Sequence, residues 1–334
     1  MHRPLISILT PSFQQADHLE DCLRSVHDQH YPQLEHVVID GGSTDGSREI
    51  IERYGDKLKW WCCEKDQGQA DALNKGSIHC GDGILGWINS DDRLLPGSLD
   101  HVAEVFSDHP EVLMYEGRRI IVHPDGSRSE APNNDPHDEE ALFIRPHVNQ
   151  QSTFYRTSAV RAVGGFDTAL HYVMDLDLWL RLLFRYGTDR LHVDHQPLAE
   201  FRLHPASKTS GGVTGFIDEQ ASILHGALLI TGGTELASVV RSGHAIRQGL
   251  RPIEDAKGHG DLVRKMTLSF LLKWNRKIHD RRQYEVMKQL MRVASEDELI
   301  AACGASEFQA AKDRLAAPTW TLYRARRKWK HLFG

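Results

Sequence analysis

Ile84-Leu85-Gly86-Trp87-Ile88-Asn89-Ser90-Asp91-Asp92 is a short apolar run that stops abruptly on an amide, a hydroxyl and two acids. Read alone it is one buried strand followed by a polar turn. The same pattern occurs twice upstream: Leu5 to Leu9 runs into Thr10-Pro11-Ser12, and His36-Val37-Val38-Ile39 runs into Asp40-Gly41-Gly42-Ser43-Thr44-Asp45-Gly46. Between these runs lie helical patterns. Leu19, Cys22, Leu23 and Val26 recur at offsets of three, four and seven after Asp17, which can cap the helix. Ser47 to Tyr54 and Gln69 to His79 read as two more helices, and Lys59 to Cys63 as a further strand. Strands alternating with helices over the first 110 residues predict an α/β fold with a mainly parallel central sheet, covered on both faces.

Beyond this half, Pro96 is placed to begin a helix carrying Leu99, Val102, Val105 and Phe106. Val112 to Tyr115 and Arg119 to Val122 read as strands, the second turning at Pro124-Asp125-Gly126, and residues 131–140 as a surface loop. Ser152 to Tyr155 and Leu198 to Leu203 are the remaining strands, with a helix after Asp175 between them. Past Gly212 the pattern is almost wholly helical. This divides the chain into residues 1–210 and a C-terminal helical extension, residues 211–334.

Composition narrows the function. The 334 residues carry 40 Lys+Arg against 46 Asp+Glu, a net charge of −6, which argues against a nucleic-acid partner because phosphate binding needs a basic stripe. No run reaches the roughly 20 apolar residues of a membrane span, and the amino-terminal apolar segment is too short for a signal peptide. Five Cys without metal spacing favour reduced thiols and a cytoplasmic protein. The 20 His include no H-E-x-x-H. His192 and His195 lie on an alternating, strand-like run, which is unsuited to a metal site on a helix.

In an open parallel sheet, ligands bind where loops leave the carboxyl ends of the strands. Three polar turns fall there, around Thr10, Asp40 and Asp91. Taken singly, Asp40 could be an Asx-turn residue and Asp91-Asp92 helix-capping acids; together on one edge they favour a binding site. Neither G-x-G-x-x-G nor G-x-x-x-x-G-K-[ST] is present, so a bound diphosphate would need a divalent cation. Adjacent carboxylates are hard oxygen ligands for Mn²⁺ or Mg²⁺.

Six segments resemble family 2 glycosyltransferases, inverting enzymes of the GT-A fold. They are Ile8 to Phe13, Val37 to Ser47, Asp66 to Gly76, Trp87 to Pro96, Gly164 to Asp167 leading into Met174 to Arg181, and Phe201 to Ser207. They span roughly residues 4–210 in the right order. The resemblance implies a nucleotide-sugar donor, a UDP-sugar first among candidates, held by Thr10, Ser12, Asp40, Asp71 and Ser90. It implies a metal held by Asp91, Asp92 and His204, with Asn89 standing where the family carries the first acid of D-x-D. It implies Asp175 as catalytic base and a glycan or lipid-linked acceptor in cell-surface polysaccharide or glycolipid synthesis; Asp177, two positions on, is the second choice of base on its position alone. Two rival readings are a nucleotidyltransferase and a non-catalytic nucleotide- or glycan-binding module. Gln14-Gln15, in place of a basic first loop, counts against the former; the presence of Asp40, Asp91 and Asp175 counts against the latter. The acid-free stretch Arg314 to Gly334 mixes Arg and Lys with Trp320, Tyr323, Trp329 and Phe333. It suggests peripheral docking on an anionic membrane at the cytoplasmic face.

Overall fold

The computed structural model describes residues 3–205, 207–208, 212–317 and 319–324. The chain divides into two compact units, Met1–Leu142 with Pro146–Val213, and Phe143–Arg145 with Thr214–Gly334.

The first unit is the expected α/β body. Strands β1 (Ile6–Ser12), β2 (Leu34–Asp40), β3 (Trp60–Cys63) and β4 (Ile84–Trp87) form a parallel half-sheet in the order β3-β2-β1-β4. Helices α1 (Ala16–His27), α2 (Ser47–Tyr54) and α3 (Gln69–Ser77) make the crossovers. Every residue of β1 is buried, as a strand covered on both faces must be. On one face Ile6 and Ile8 join Cys22 and Val26 of α1. On the other, Gly76 of α3 lies so close that a Cβ there would stand 2.5 Å from Ile39 Cδ1 and 2.9 Å from Leu9 Cδ2. Register decides what the carboxyl edge presents: Ser12 pairs with Asp40, Asp40 with Cys63, and Leu9 with Trp87. The polar turns read from the sequence therefore leave the sheet side by side.

The sheet continues as β4-β8-β6-β9-β5, with β7 paired to β6. Here β5 is Arg93–Leu94, β6 Met114–Val122, β7 Arg128–Glu130, β8 Thr153–Arg156 and β9 Leu191–Arg202. Pairing is antiparallel except between β6 and β9, which makes the whole sheet mixed. The two strands expected at 112–115 and 119–122 are one. A register irregularity at Glu116–Arg119 interrupts the pattern, where a Cβ on Gly117 would meet Leu198 Cδ1 at 2.5 Å. Helix α4 (Ser98–Asp108) begins after Gly97 rather than at Pro96, and α1 starts with no side-chain cap from Asp17.

Residues 131–140 are not simply a surface loop, because Ala131 and Asn134 are buried. Asn134 Nδ2 donates to Glu116 Oε2 at 2.6 Å and Asn149 Nδ2 to Glu116 Oε1 at 2.8 Å. A buried carboxylate needs such donors, and these tie the segment to β6. It leads into α5 (Glu139–Ile144), and α6 (Thr157–Ala162) and α7 (Met174–Tyr186) follow β8.

The second unit is helical: α8 (Val213–Ile230), α9 (Thr234–Gly243), α10 (Gly260–Asn275), α11 (Arg281–Val293), α12 (Glu296–Cys303) and α13 (Ala305–Leu315). Ser295 and Glu298 cap α12 reciprocally. Among the described residues no helix is long and apolar enough to cross a membrane. Tyr323 packs inward, its hydroxyl donating to the Ile278 carbonyl at 2.9 Å, and Trp320 lies against Tyr284 and Tyr323. These two aromatics of the basic stretch are thus engaged with the helical unit, and residues 325–334 lie outside the described part of the chain.

Candidate active site

Asp40 ends β2 fully buried, as an Asx-type turn: Oδ1 accepts from the Gly42 and Ser43 amides at 3.1 and 2.7 Å, and Oδ2 from Ser43 Oγ at 2.7 Å. The turn reading and the site reading of this acid are compatible, since its hydrogen bonds shape the loop at the edge. Ser12 lies opposite, with its buried Oγ lacking a partner among the described residues. Asp71, in the first turn of α3, accepts from the Gln67 amide at 3.0 Å and pairs with Lys75. Ser90 is buried in the turn after β4.

Thr10 is not brought to the edge by its side chain. Its Oγ1 lies 2.9 Å from His36 Nε2, and His36 Nδ1 lies 3.1 Å from His27 Nε2. Burial, and secondarily His27, hold His36 well below its ordinary value of 6.5. His27 is lowered too, by burial and then by Lys57. The fold favours neutral imidazoles, so the stability they contribute is complete above about pH 6.5 and is lost as pH falls below it. Thermal unfolding followed from pH 8 to 5 is expected to show a Tm that declines below about 6.5, with a flatter acid limb in His36→Gln. Identical acid limbs in the two proteins would contradict this linkage.

The neighbouring acids Asp91 and Asp92 differ. Asp92 is fully buried and each of its oxygens accepts a bond: Oδ1 from the Arg202 amide at 3.0 Å, and Oδ2 from Gln151 Nε2 at 2.9 Å. Burial, reinforced by Asp91, pushes its carboxyl up to about 8. Asp91 Oδ2 instead stands 3.0 Å from His204 Nε2, and these side chains keep 16% and 17% of their surface exposed. Among the described residues no three His, Cys, Asp or Glu side chains are grouped to hold a metal ion. A carboxylate and an imidazole are nonetheless suitable as a partial ligand set completed by substrate phosphates. Asn89 acts as an amide: its Oδ1 accepts from Gln69 Nε2 at 2.7 Å, and its Nδ2 donates to Gln150 Oε1 at 3.1 Å. A carboxylate at position 89 would have no proton for Gln150.

Asp175 and Asp177 also separate. Asp177 is buried and binds Arg181 through Oδ2, at 2.8 Å to Nε and 2.6 Å to a terminal nitrogen. Its pairing with Arg181 ties this carboxylate to the fold. Asp175, in the first turn of α7, accepts from the Leu176 amide at 2.9 Å. Burial raises its carboxyl, opposed by that amide and by the positive charges of Arg119 and Lys208.

Several residues of the site escaped the sequence reading. Arg119 reaches in from β6, donates to Gln151 Oε1 at 3.1 Å, lies 5.0 Å from the centroid of the Phe201 ring, and its charge interacts with those of Asp175, Asp92 and Glu116. His18 of α1 places its ring centroid 5.0 Å from that of His204. The buried amide Gln151 joins Asp92 to Arg119, and its neighbour Gln150 accepts from Asn89. The one available signal was the Arg118-Arg119 doublet just before the apolar run Ile120-Ile121-Val122.

The sequence profile described as Glycosyl transferase family 2 matches residues 7–163. A glycosyltransferase of Mycobacterium tuberculosis is 30% identical over 182 residues, covering 53% of this chain and 68% of that protein. The chain belongs to glycosyltransferase family 2. A second relative of this glycosyltransferase, the putative teichuronic acid biosynthesis glycosyltransferase TuaG of Bacillus subtilis, is 29% identical over 122 residues, 36% of this chain and 48% of TuaG. In fold the glycosyltransferase is similar to Staphylococcus aureus TarS, residues 1–349, crystallised with UDP-GlcNAc. The TM-score is 0.63 at 14% identity, over 97% of this chain and 92% of that one. The fold is GT-A.

Proposed function

We propose that this glycosyltransferase moves a sugar from a nucleotide-diphosphate donor to a glycan or lipid-linked acceptor with inversion at the anomeric carbon. The contact between Asp91 and His204 carries the reading. It joins the turn after β4 to the chain beyond β9 at 3.0 Å, with both side chains partly open to solvent. Asp91 and His204 would hold a divalent cation, Mn²⁺ or Mg²⁺, which supplies positive charge to a departing nucleoside diphosphate. Asp92, with both oxygens committed, shapes the turn and is the weaker candidate ligand.

On the donor side, Asp40 fixes the loop after β2, and the buried Ser12 hydroxyl, without a partner among the described residues, is the candidate contact to a base or ribose. Ser90 and Asp71 would complete that wall. Asp175 is the proposed base. It takes the acceptor hydroxyl's proton as that oxygen bonds to the anomeric carbon and the bond to the diphosphate breaks. A carboxyl raised by burial is a better proton acceptor near neutral pH than an exposed one. TarS was crystallised with UDP-GlcNAc, and TuaG is named for teichuronic acid synthesis. We therefore place UDP-sugars first among donors and a cell-surface polysaccharide or its lipid-linked precursor first among acceptors.

The test is donor turnover followed by proton NMR over a panel of UDP- and GDP-sugars, with Mg²⁺ and with chelator. Turnover of at least one donor with Mg²⁺, and its loss in chelator, is expected. Full turnover in chelator would remove the Asp91–His204 assignment.

A further inference from the structure

Lys208 stands four residues beyond His204, and the donor site as outlined leaves it unused. Its ammonium nonetheless sits among the site residues. Lys208 Nζ donates to Gln69 Oε1 at 2.7 Å and to the His171 carbonyl at 3.0 Å. Gln69 in turn donates to Asn89 Oδ1 at 2.7 Å, so one glutamine amide links the lysine to the turn that carries Asp91. The charge of Lys208 is also felt at Asp175. Gly68 makes the approach possible: a Cβ there would stand 3.1 Å from His171 Nδ1, on a backbone with φ of +118°.

We propose that Lys208 binds the donor diphosphate, moving from Gln69 and the His171 carbonyl to phosphate oxygens when the nucleotide arrives. The proposal rests on the donor reading above and adds the residue that carries charge to the phosphates from the protein itself. Its physical basis is an exchange of acceptors. The Gln69 and His171 oxygens are neutral acceptors, whereas a phosphate oxygen makes charge-assisted hydrogen bonds of roughly twice the strength. Lysine suits this as a compact point charge on a flexible stem that can follow a mobile anion. Position 89 adds a second reason. With an amide where D-x-D enzymes carry an acid, the floor beside Gln69 holds one negative charge fewer, so an incoming diphosphate meets less repulsion there. A consequence is that part of the diphosphate affinity survives without any divalent cation.

Isothermal titration of the full chain with UDP, GDP, UMP and GMP, in Mg²⁺ and in EDTA, tests this in wild type, Lys208→Met and Lys208→Arg. We expect wild type to retain measurable affinity for one nucleoside diphosphate in EDTA. Lys208→Met should lose at least about tenfold of it there, a smaller factor in Mg²⁺, and collapse the preference for diphosphate over monophosphate. Lys208→Arg should restore most of that preference, which a merely structural contact would not explain. Lys208→Met binding like wild type in EDTA would overturn the role of Lys208, as would an equal loss for mono- and diphosphate. Wild type binding none of the nucleotides in either condition would overturn the donor reading itself.

Discussion

Asp175→Asn is expected to lower sugar transfer by about a thousandfold or more while leaving UDP affinity within about twofold, because general-base catalysis of this kind contributes 10²- to 10⁴-fold. The side chains are nearly isosteric. Asparagine still accepts the Leu176 amide through its carbonyl oxygen, so the first turn of α7 should be preserved. What disappears is the basic oxygen. The substitution also removes a negative charge facing Arg119 and Lys208, and both remain to attract an anionic donor. Titration with UDP and single-turnover transfer, measured on one preparation, separate the two effects. Turnover near the wild-type rate would exclude Asp175 as the base; a parallel collapse of UDP affinity would make it a structural residue.

Asp177, two positions along the same helix, predicts the opposite outcome. Its carboxylate is the buried partner of Arg181, which also donates to the carbonyls of Val163 and Gly165 at 2.6 and 2.7 Å. Asn74 closes the same Gly-Gly turn, donating to the Phe166 carbonyl at 2.8 Å and accepting from the Phe166 amide at 2.9 Å. Removing one member of a buried ion pair costs about 3–5 kcal/mol because the other charge stays uncompensated. At roughly 2–4 °C per kcal/mol for a unit of about 200 residues, Asp177→Ala should lower Tm by on the order of 10 °C. Below that Tm, kcat should remain within a few-fold of wild type. A Tm unchanged within 2 °C, measured by calorimetry, would contradict the assignment.

These two acids show where sequence patterns lose resolution. Asp175 and Asp177 sit two residues apart, and either one suits a helix start. Their difference lies in their surroundings: Arg181 binds Asp177 directly, whereas Arg119 and Lys208 act on Asp175 through their charge. Asp91 and Asp92 repeat the lesson, because Asp92 is distinguished by a backbone amide 110 residues away and an amide side chain 59 residues away. The parallel half-sheet was legible since each apolar run ends on a turn residue, and parallel register then sets those ends level. Gly117 hid the continuity of β6, because its missing side chain answers to Leu198 on a neighbouring strand. Glu116, Gln150 and Gln151 had no local signature; a buried polar group acquires meaning only from partners that folding supplies. The histidine content has a partial explanation of the same kind. His27 with His36, His18 with His204, and His109 with His192 are neighbouring rings in the fold, although each pair is separated in sequence.

The most direct measurement is the anomeric configuration of the sugar first released or transferred from an α-linked UDP-sugar, read by proton NMR before mutarotation, in Mg²⁺. A single carboxylate base at Asp175, acting on the side of the sugar away from the diphosphate, requires the β anomer to appear first, with no turnover once the cation is chelated. The α anomer appearing first would contradict the account, whatever the rate.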